Sequence, residues 1–195
     1  KLNSNSGLSS DYVTGILQDR EGFLWMTTDN GINRFDGYKI INFKPFIYSN
    51  STFNTANFQC LEEDQEGNIW FGSYNMGVNI YNKLTGEVQI LDEDGPEGYK
   101  ILNNHINDIF CDSNGNVWIG TTQGLNMFDR ETGLIKTYSE VLFPGKTMPI
   151  GNITKLFQNS RGEIMIATFG HGMFIYDKLR KEFSQIFFRP KALID

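Results

Sequence analysis

The stretch Asp112-Ser113-Asn114-Gly115-Asn116-Val117-Trp118-Ile119-Gly120-Thr121 recurs along this 195-residue chain. Related stretches begin at Asp19, Asp64 and Asn159, a period of roughly 47 residues. Such a period restricts the fold to solenoids, propellers and arrays, where one unit buries its apolar face only by stacking on its own copies. Three copies share Asp, Gly and Trp at fixed spacing: Asp19, Gly22 and Trp25; Asp64, Gly67 and Trp70; Asp112, Gly115 and Trp118. The fourth is degraded to Asn159, Gly162 and Met165.

Each copy opens as a turn. Asp or Asn at the first position accepts a hydrogen bond from the backbone two residues on, and Gly at the fourth tolerates positive φ. That combination predicts a type I turn with a glycine bulge joining two antiparallel strands. Apolar runs such as Val117-Trp118-Ile119 follow, without a polar break, and suit a strand buried on both faces. Two positions after the Trp or Met the residues are small (Thr27, Gly72, Gly120 and Ala167), which suits close approach of a neighbour.

Superposing the copies gives the rest of the unit. Val13, Phe58, Ile106 and Ile153 mark a first strand before each turn. Gly31, Gly77, Gly124 and Gly172 end the turn after the second strand, and Phe35, Tyr81, Phe128 and Tyr176 follow on a third. Weaker runs at 39–43, 87–91, 134–138 and 182–187 close each unit. The expectation is all-β: four β-propeller blades of four antiparallel strands, forming a partial, open propeller. The blades divide the chain at 1–43, 44–91, 92–138 and 139–188, with 189–195 read as the lead-in to a further blade. The lead-in at 1–11 is polar, 44–53 and 139–151 are connectors, and 92–98 is a solvated acidic loop. Lys1 as first residue suggests a processed or trimmed chain.

Sixteen Phe and twenty Gly suit sheets and turns. A formal charge of −6 without a Lys/Arg cluster makes nucleic acid a poor partner and argues against contact with an anionic membrane. No apolar run reaches membrane-spanning length. Cys60 and Cys111 read as buried free thiols. The acidic loop lacks the alternating ligands of a calcium loop, and the Asp112 turn is explained by the repeat, so neither metal nor cofactor is expected.

The unit Ile-x-x-Asp-x-x-Gly-x-Leu-Trp-x-Gly-Thr-x-x-Gly-Leu-x-x-Phe-Asp resembles the two-component regulator propeller repeat. Blade one is similar from Gly7-Leu8-Ser9-Ser10 through Gln18 to Trp25 and on to Asp29-Asn30-Gly31-Ile32-Asn33-Arg34-Phe35-Asp36-Gly37-Tyr38. That wording resembles the first blade of the sensor regions of Bacteroides-type hybrid two-component systems. Blade four departs at Asn159, Met165 and Ala167. The resemblance implies a periplasmic part of an inner-membrane histidine kinase with receiver and DNA-binding domains, sensing oligosaccharides and controlling glycan-utilisation genes. It also implies that the remaining propeller blades of the parent protein are partners. A second resemblance is to propeller enzymes of the streptogramin-lyase type, which use a catalytic His.

Neither His105 nor His171 sits where a phosphoacceptor is needed, and no Ser sits on a strand-to-helix elbow, so the chain itself is read as non-catalytic. Binding is the better expectation. Loops before the first strand and between the second and third strands share one end of a propeller. They bring Tyr12, Asp29, Asn30, Tyr74, Asn75, His105, Gln123, Phe169 and His171 to that end, with Asn54, Asn57, Asn104 and Asn152 beside them. Amides, acids and rings there suit a sugar. Asp108 and Lys155 stand at matching heights in neighbouring first strands and are expected to meet near the axis. An open arc exposes apolar blade faces, so pairing with a second copy is expected.

Overall fold

The computed structural model describes residues 2–43, 57–143 and 146–186, with the backbone alone for Phe143 and Lys146. Asn54, Pro144, Gly145 and the 189–195 tail lie outside the described residues. Blade one consists of β1 (Val13–Gln18), β2 (Leu24–Thr28), β3 (Gly31–Phe35) and β4 (Ile40–Phe43). Blade two consists of β5 (Phe58–Glu63), β6 (Ile69–Ser73), β7 (Val78–Tyr81) and β8 (Val88–Leu91). Blade three holds β9 (Ile106–Cys111), β10 (Val117–Thr121), β11 (Gly124–Asp129) and β12 (Leu134–Tyr138). A hairpin follows, β13 (Glu140–Phe143) with β14 (Lys146–Pro149), and then blade four: β15 (Ile153–Gln158), β16 (Ile164–Thr168), β17 (Gly172–Asp177) and β18 (Glu182–Ile186).

Each blade is a four-stranded antiparallel meander in chain order, as the repeat predicts. Among the described residues no sheet closes on another; the first strands pack side by side in the order β1, β5, β9, β15. The sequence marks 139–151 only as a connector, and the structure pairs it as this hairpin. It contributes Val141, which with Ile150 joins the core of blades three and four.

The apolar cores lie between blades. Trp25, Trp70 and Trp118 are at most 1% exposed. Each indole packs on the third-strand aromatic of the next blade: Trp25 on Tyr81 at 5.7 Å between centroids, Trp70 on Phe128 at 5.3 Å, Trp118 on Tyr176 at 5.1 Å. A blade cannot bury its own indole, so the unit is stable only when stacked. The small residues serve the same contact. A Cβ on Gly120 would lie 2.6 Å from Ile153 of blade four, and one on Gly72 would lie 2.6 Å from Ile106 of blade three.

In blades one and three a buried amide ties the blade to the segment that leads into it. Asn33, Asn79 and Asn126 are fully buried in β3, β7 and β11. Asn33 Oδ1 accepts from Ser9 N at 2.8 Å, and Asn126 Oδ1 accepts from Leu102 N at 2.9 Å. Blade four has Phe174 at the matching height, opposite Ile166.

Candidate functional site

The four recurring turns share one geometry. Asp19 Oδ1 accepts from Glu21 N and Phe23 N at 3.0 and 2.9 Å, and Gly22, at φ 92°, donates its N–H to Asp19 O at 2.9 Å. The same bonds recur around Asp64, Asp112 and Asn159. The second carboxylate oxygen has a further task. It accepts from the buried indole N–H: Trp25 to Asp19 at 2.8 Å, Trp70 to Asp64 at 2.8 Å, Trp118 to Asp112 at 3.0 Å. A buried indole N–H needs an acceptor, and a buried carboxylate needs donors, so each residue satisfies the other. In blade four both change together. Met165 brings no donor, and Asn159 brings no charge; its amide donates to Glu163 at 2.7 Å and lies 3.6 Å from the Met165 sulfur.

A cation from the following blade completes three of these turns. Lys83 Nζ lies 3.2 Å from Asp19 Oδ2 and 2.9 Å from Glu63 Oε1. Arg130 donates to Gln65 and lies 3.5 Å from Glu66. Lys178 Nζ lies 3.3 Å from Asp112 Oδ2. Burial opposes ionisation of Asp19, yet the bonds from Trp25, Phe23 and Lys83 outweigh it and hold the carboxyl below its usual range. For Lys83, burial likewise opposes the charge, and its bonds to Glu63 and Asp19 raise its pKa. These cations directly follow Asn82, Asp129 and Asp177, and superposition of the repeats places them in one column. Blade one has Gly37 there.

Along the axis, Lys155 Nζ meets Asp108 Oδ1 at 2.7 Å, as the register predicts, and Asp108 Oδ2 accepts from Leu156 N at 2.7 Å. Beside them lies a groove of about 370 Å³ lined by Glu62, Cys60 and Asp108. Burial pushes the Glu62 carboxyl up to about 7, with one hydrogen bond, from Cys111 N at 3.3 Å, working against it. Cys60 and Cys111 are free thiols, the first pushed far above its usual range by burial and the second up to about 11.

The residues expected at the loop end are spread over four blades. Tyr74 and His105 come together across blades two and three, with ring centroids 4.2 Å apart. Burial lowers the His105 pKa. Tyr12 is 67% exposed and Phe169 75%. Asp29, Asn75 and Gln123 are exposed, and Asn30 donates to Ser9 O at 3.1 Å. His171 packs against Gly151, and its buried Nδ1 has no hydrogen-bond partner among the described residues. Asn57, Asn104 and Asn152 are tied into local bonds with Tyr74, Glu93 and Asn107. None of these residues lines the clefts described here, the largest of which, about 480 Å³, opens between blades three and four at the opposite end. Among the described residues no three His, Cys, Asp or Glu side chains gather as metal ligands.

The family model described as "Two component regulator propeller" matches residues 7–30, 52–75 and 100–123. A curated relative, Histidine kinase P4 of Formosa agariphila, is 29% identical over 87% of this chain, which spans 13% of that protein. Among solved structures, the extracellular domain of a putative hybrid two-component system of B. thetaiotaomicron superposes with a TM-score of 0.69 at 21% identity, over 94% of this chain and 31% of that one. Virginiamycin B lyase from Staphylococcus aureus, in an inactive form with quinupristin, superposes at 0.64 and 16% identity, over 92% of this chain and 56% of that one. Both structures share the fold. The matched segments each run from a blade's lead-in through its β2 equivalent, so the match to the two-component regulator propeller covers the turns and buried indoles of blades one, two and three.

Proposed function

We propose that this chain is part of the extracytoplasmic signal-sensing propeller of a hybrid two-component histidine kinase. The observation that carries the reading is the repeat itself: three blades match the two-component regulator propeller model, and the relative that spans most of the chain is a histidine kinase. The chain contributes recognition and transmission, and phosphoryl transfer belongs to other parts of the parent protein. The signal is an oligosaccharide held at the loop end, where Tyr74 and His105 offer adjacent rings across a blade junction and Phe169 and Tyr12 project into solvent. A ligand spanning a junction changes output only by binding one blade arrangement better than another. The remaining blades of the parent, or a second copy of this chain, cover its apolar end faces. Periplasmic location and control of glycan-utilisation genes follow from the same reading.

Titration with an oligosaccharide panel tests it. Binding without turnover, weakened about tenfold by Tyr74→Ala, supports the sensor. Turnover abolished by His105→Ala or His171→Ala supports the lyase reading, which the shared fold keeps in view.

A further inference from the structure

The cleft between blades three and four lies at the end formed by the β9–β10 and β11–β12 turns, away from Tyr74 and His105. At about 480 Å³ it falls within the roughly 300–1,000 Å³ of ligand pockets. Two of its three lysines are paired, Lys136 with Asp129 at 2.5 Å and Lys178 with Asp112 at 3.3 Å. Lys181 lines the same cleft and has no carboxylate partner among the described residues. Its backbone is unusual too. At φ 57° it is the one non-glycine residue in the left-handed region among the described residues, where blades two and three place Gly86 and Gly133. A side chain held at a costly backbone angle points to a use for that side chain. Asn114 and Glu131 also line the cleft with side chains free of hydrogen bonds among the described residues, and Tyr138 supplies an aromatic wall.

We propose that this cleft binds a small hydroxylated carboxylate of the hexuronate class, with the Lys181 ammonium on the ligand carboxylate and Glu131 and Asn114 on its hydroxyls. A charge-assisted bond from Lys181 selects the anion, and acceptors on the blade-three side of the cleft select a ligand that carries hydroxyl donors rather than a bare anion. The ligand bridges two blades, because Lys181 belongs to blade four and Glu131 and Asn114 to blade three. The site is separate from the loop-end aromatics, and failure of one leaves the other standing.

Calorimetric titration of the chain with glucuronate and with glucose tests the assignment, using Lys181→Gly as the variant. Glycine relieves the backbone, as at Gly86 and Gly133, so the variant keeps or raises the melting temperature. The expected result is saturable glucuronate binding at least about tenfold tighter than glucose, and a loss of about tenfold or more in Lys181→Gly. Equal binding of glucose, unchanged glucuronate binding in the folded variant, or no glucuronate binding at all overturns the proposal.

Discussion

Lys83 of blade two reaches back 3.2 Å to Asp19 of blade one, the carboxylate that already holds its own turn and the Trp25 indole. One carboxylate therefore joins a turn, a core indole and the neighbouring blade. The Lys83 side chain is 9% exposed, so water cannot readily replace it. Replacing it with Met leaves Asp19 buried without its cation and leaves Glu63 with the more distant Arg20 guanidinium, at 3.8 Å. The expected loss is about 2–4 kcal/mol, near the range for breaking a buried pair, measured by urea denaturation. A loss within error would mean the latch is ornamental. Because the Asp19 pKa is lowered in the fold, its contribution is full above the unfolded value of 3.8 and fades as pH falls through the folded value.

The acid and the indole are coupled. Asp112→Asn and Trp118→Met are each expected to destabilise, the first by weakening the indole's acceptor and the second by opening a cavity and stranding a carboxylate. Made together they reproduce the Asn159–Met165 pair of blade four. A double-mutant cycle should return about 1–2 kcal/mol of favourable coupling, while strict additivity would separate the two roles.

Glu62 gives the fold a pH dependence of opposite sign. Its pKa is raised from 4.5 to about 7, so the native chain holds a proton that the unfolded chain releases. Stability from this group is full below 4.5 and is lost as pH rises towards 7. Glu62→Gln should change little at pH 4 and should stabilise by about 1–2 kcal/mol at pH 8. Melting curves of both proteins across that range decide it, and parallel profiles would refute the assignment.

Gly120 sits where Ile153 of the next blade arrives. Gly120→Ala puts a methyl into that contact and should cost about 1–3 kcal/mol by overpacking. Ile153→Ala removes the Cγ2 that the methyl meets, so it should partly rescue Gly120→Ala, the double variant losing less than the sum of the two single losses, if the contact is the cause. Cost without rescue would place the strain elsewhere.

Much of this architecture was legible from residue types at matching positions. The turn reading of Asp19, Asp64, Asp112 and Asn159 follows from local chemistry, and the shared height of Asp108 and Lys155 follows from register alone. The indole bond is not evident from the sequence, although Asp and Trp stand at constant spacing, because local turn chemistry already accounts for the Asp. Lys83, Arg130 and Lys178 also stand in one column of the repeat, but they act across a junction that only packing reveals. Asn33, Asn79 and Asn126 likewise stand at one position of the repeat, but their burial depends on packing that residue type alone does not show. The β13–β14 hairpin interrupts the repeat, so superposition had nothing to compare it with. Loop-end side chains such as Tyr12 and Phe169 could be placed at an end, but the convergence of Tyr74 on His105 depends on the angle between blades.

The central claim is that one carboxylate–indole unit is built in three neighbouring blades and interlocks them. Hydrogen exchange of the three indole N–H groups, followed by NMR in the wild-type chain and in Asp19→Asn, Asp64→Asn and Asp112→Asn, tests it most directly. Three slowly exchanging indole signals are expected, each shifted mainly by the substitution in its own blade. An indole of Trp25, Trp70 or Trp118 that exchanges at the rate of a free side chain would contradict it.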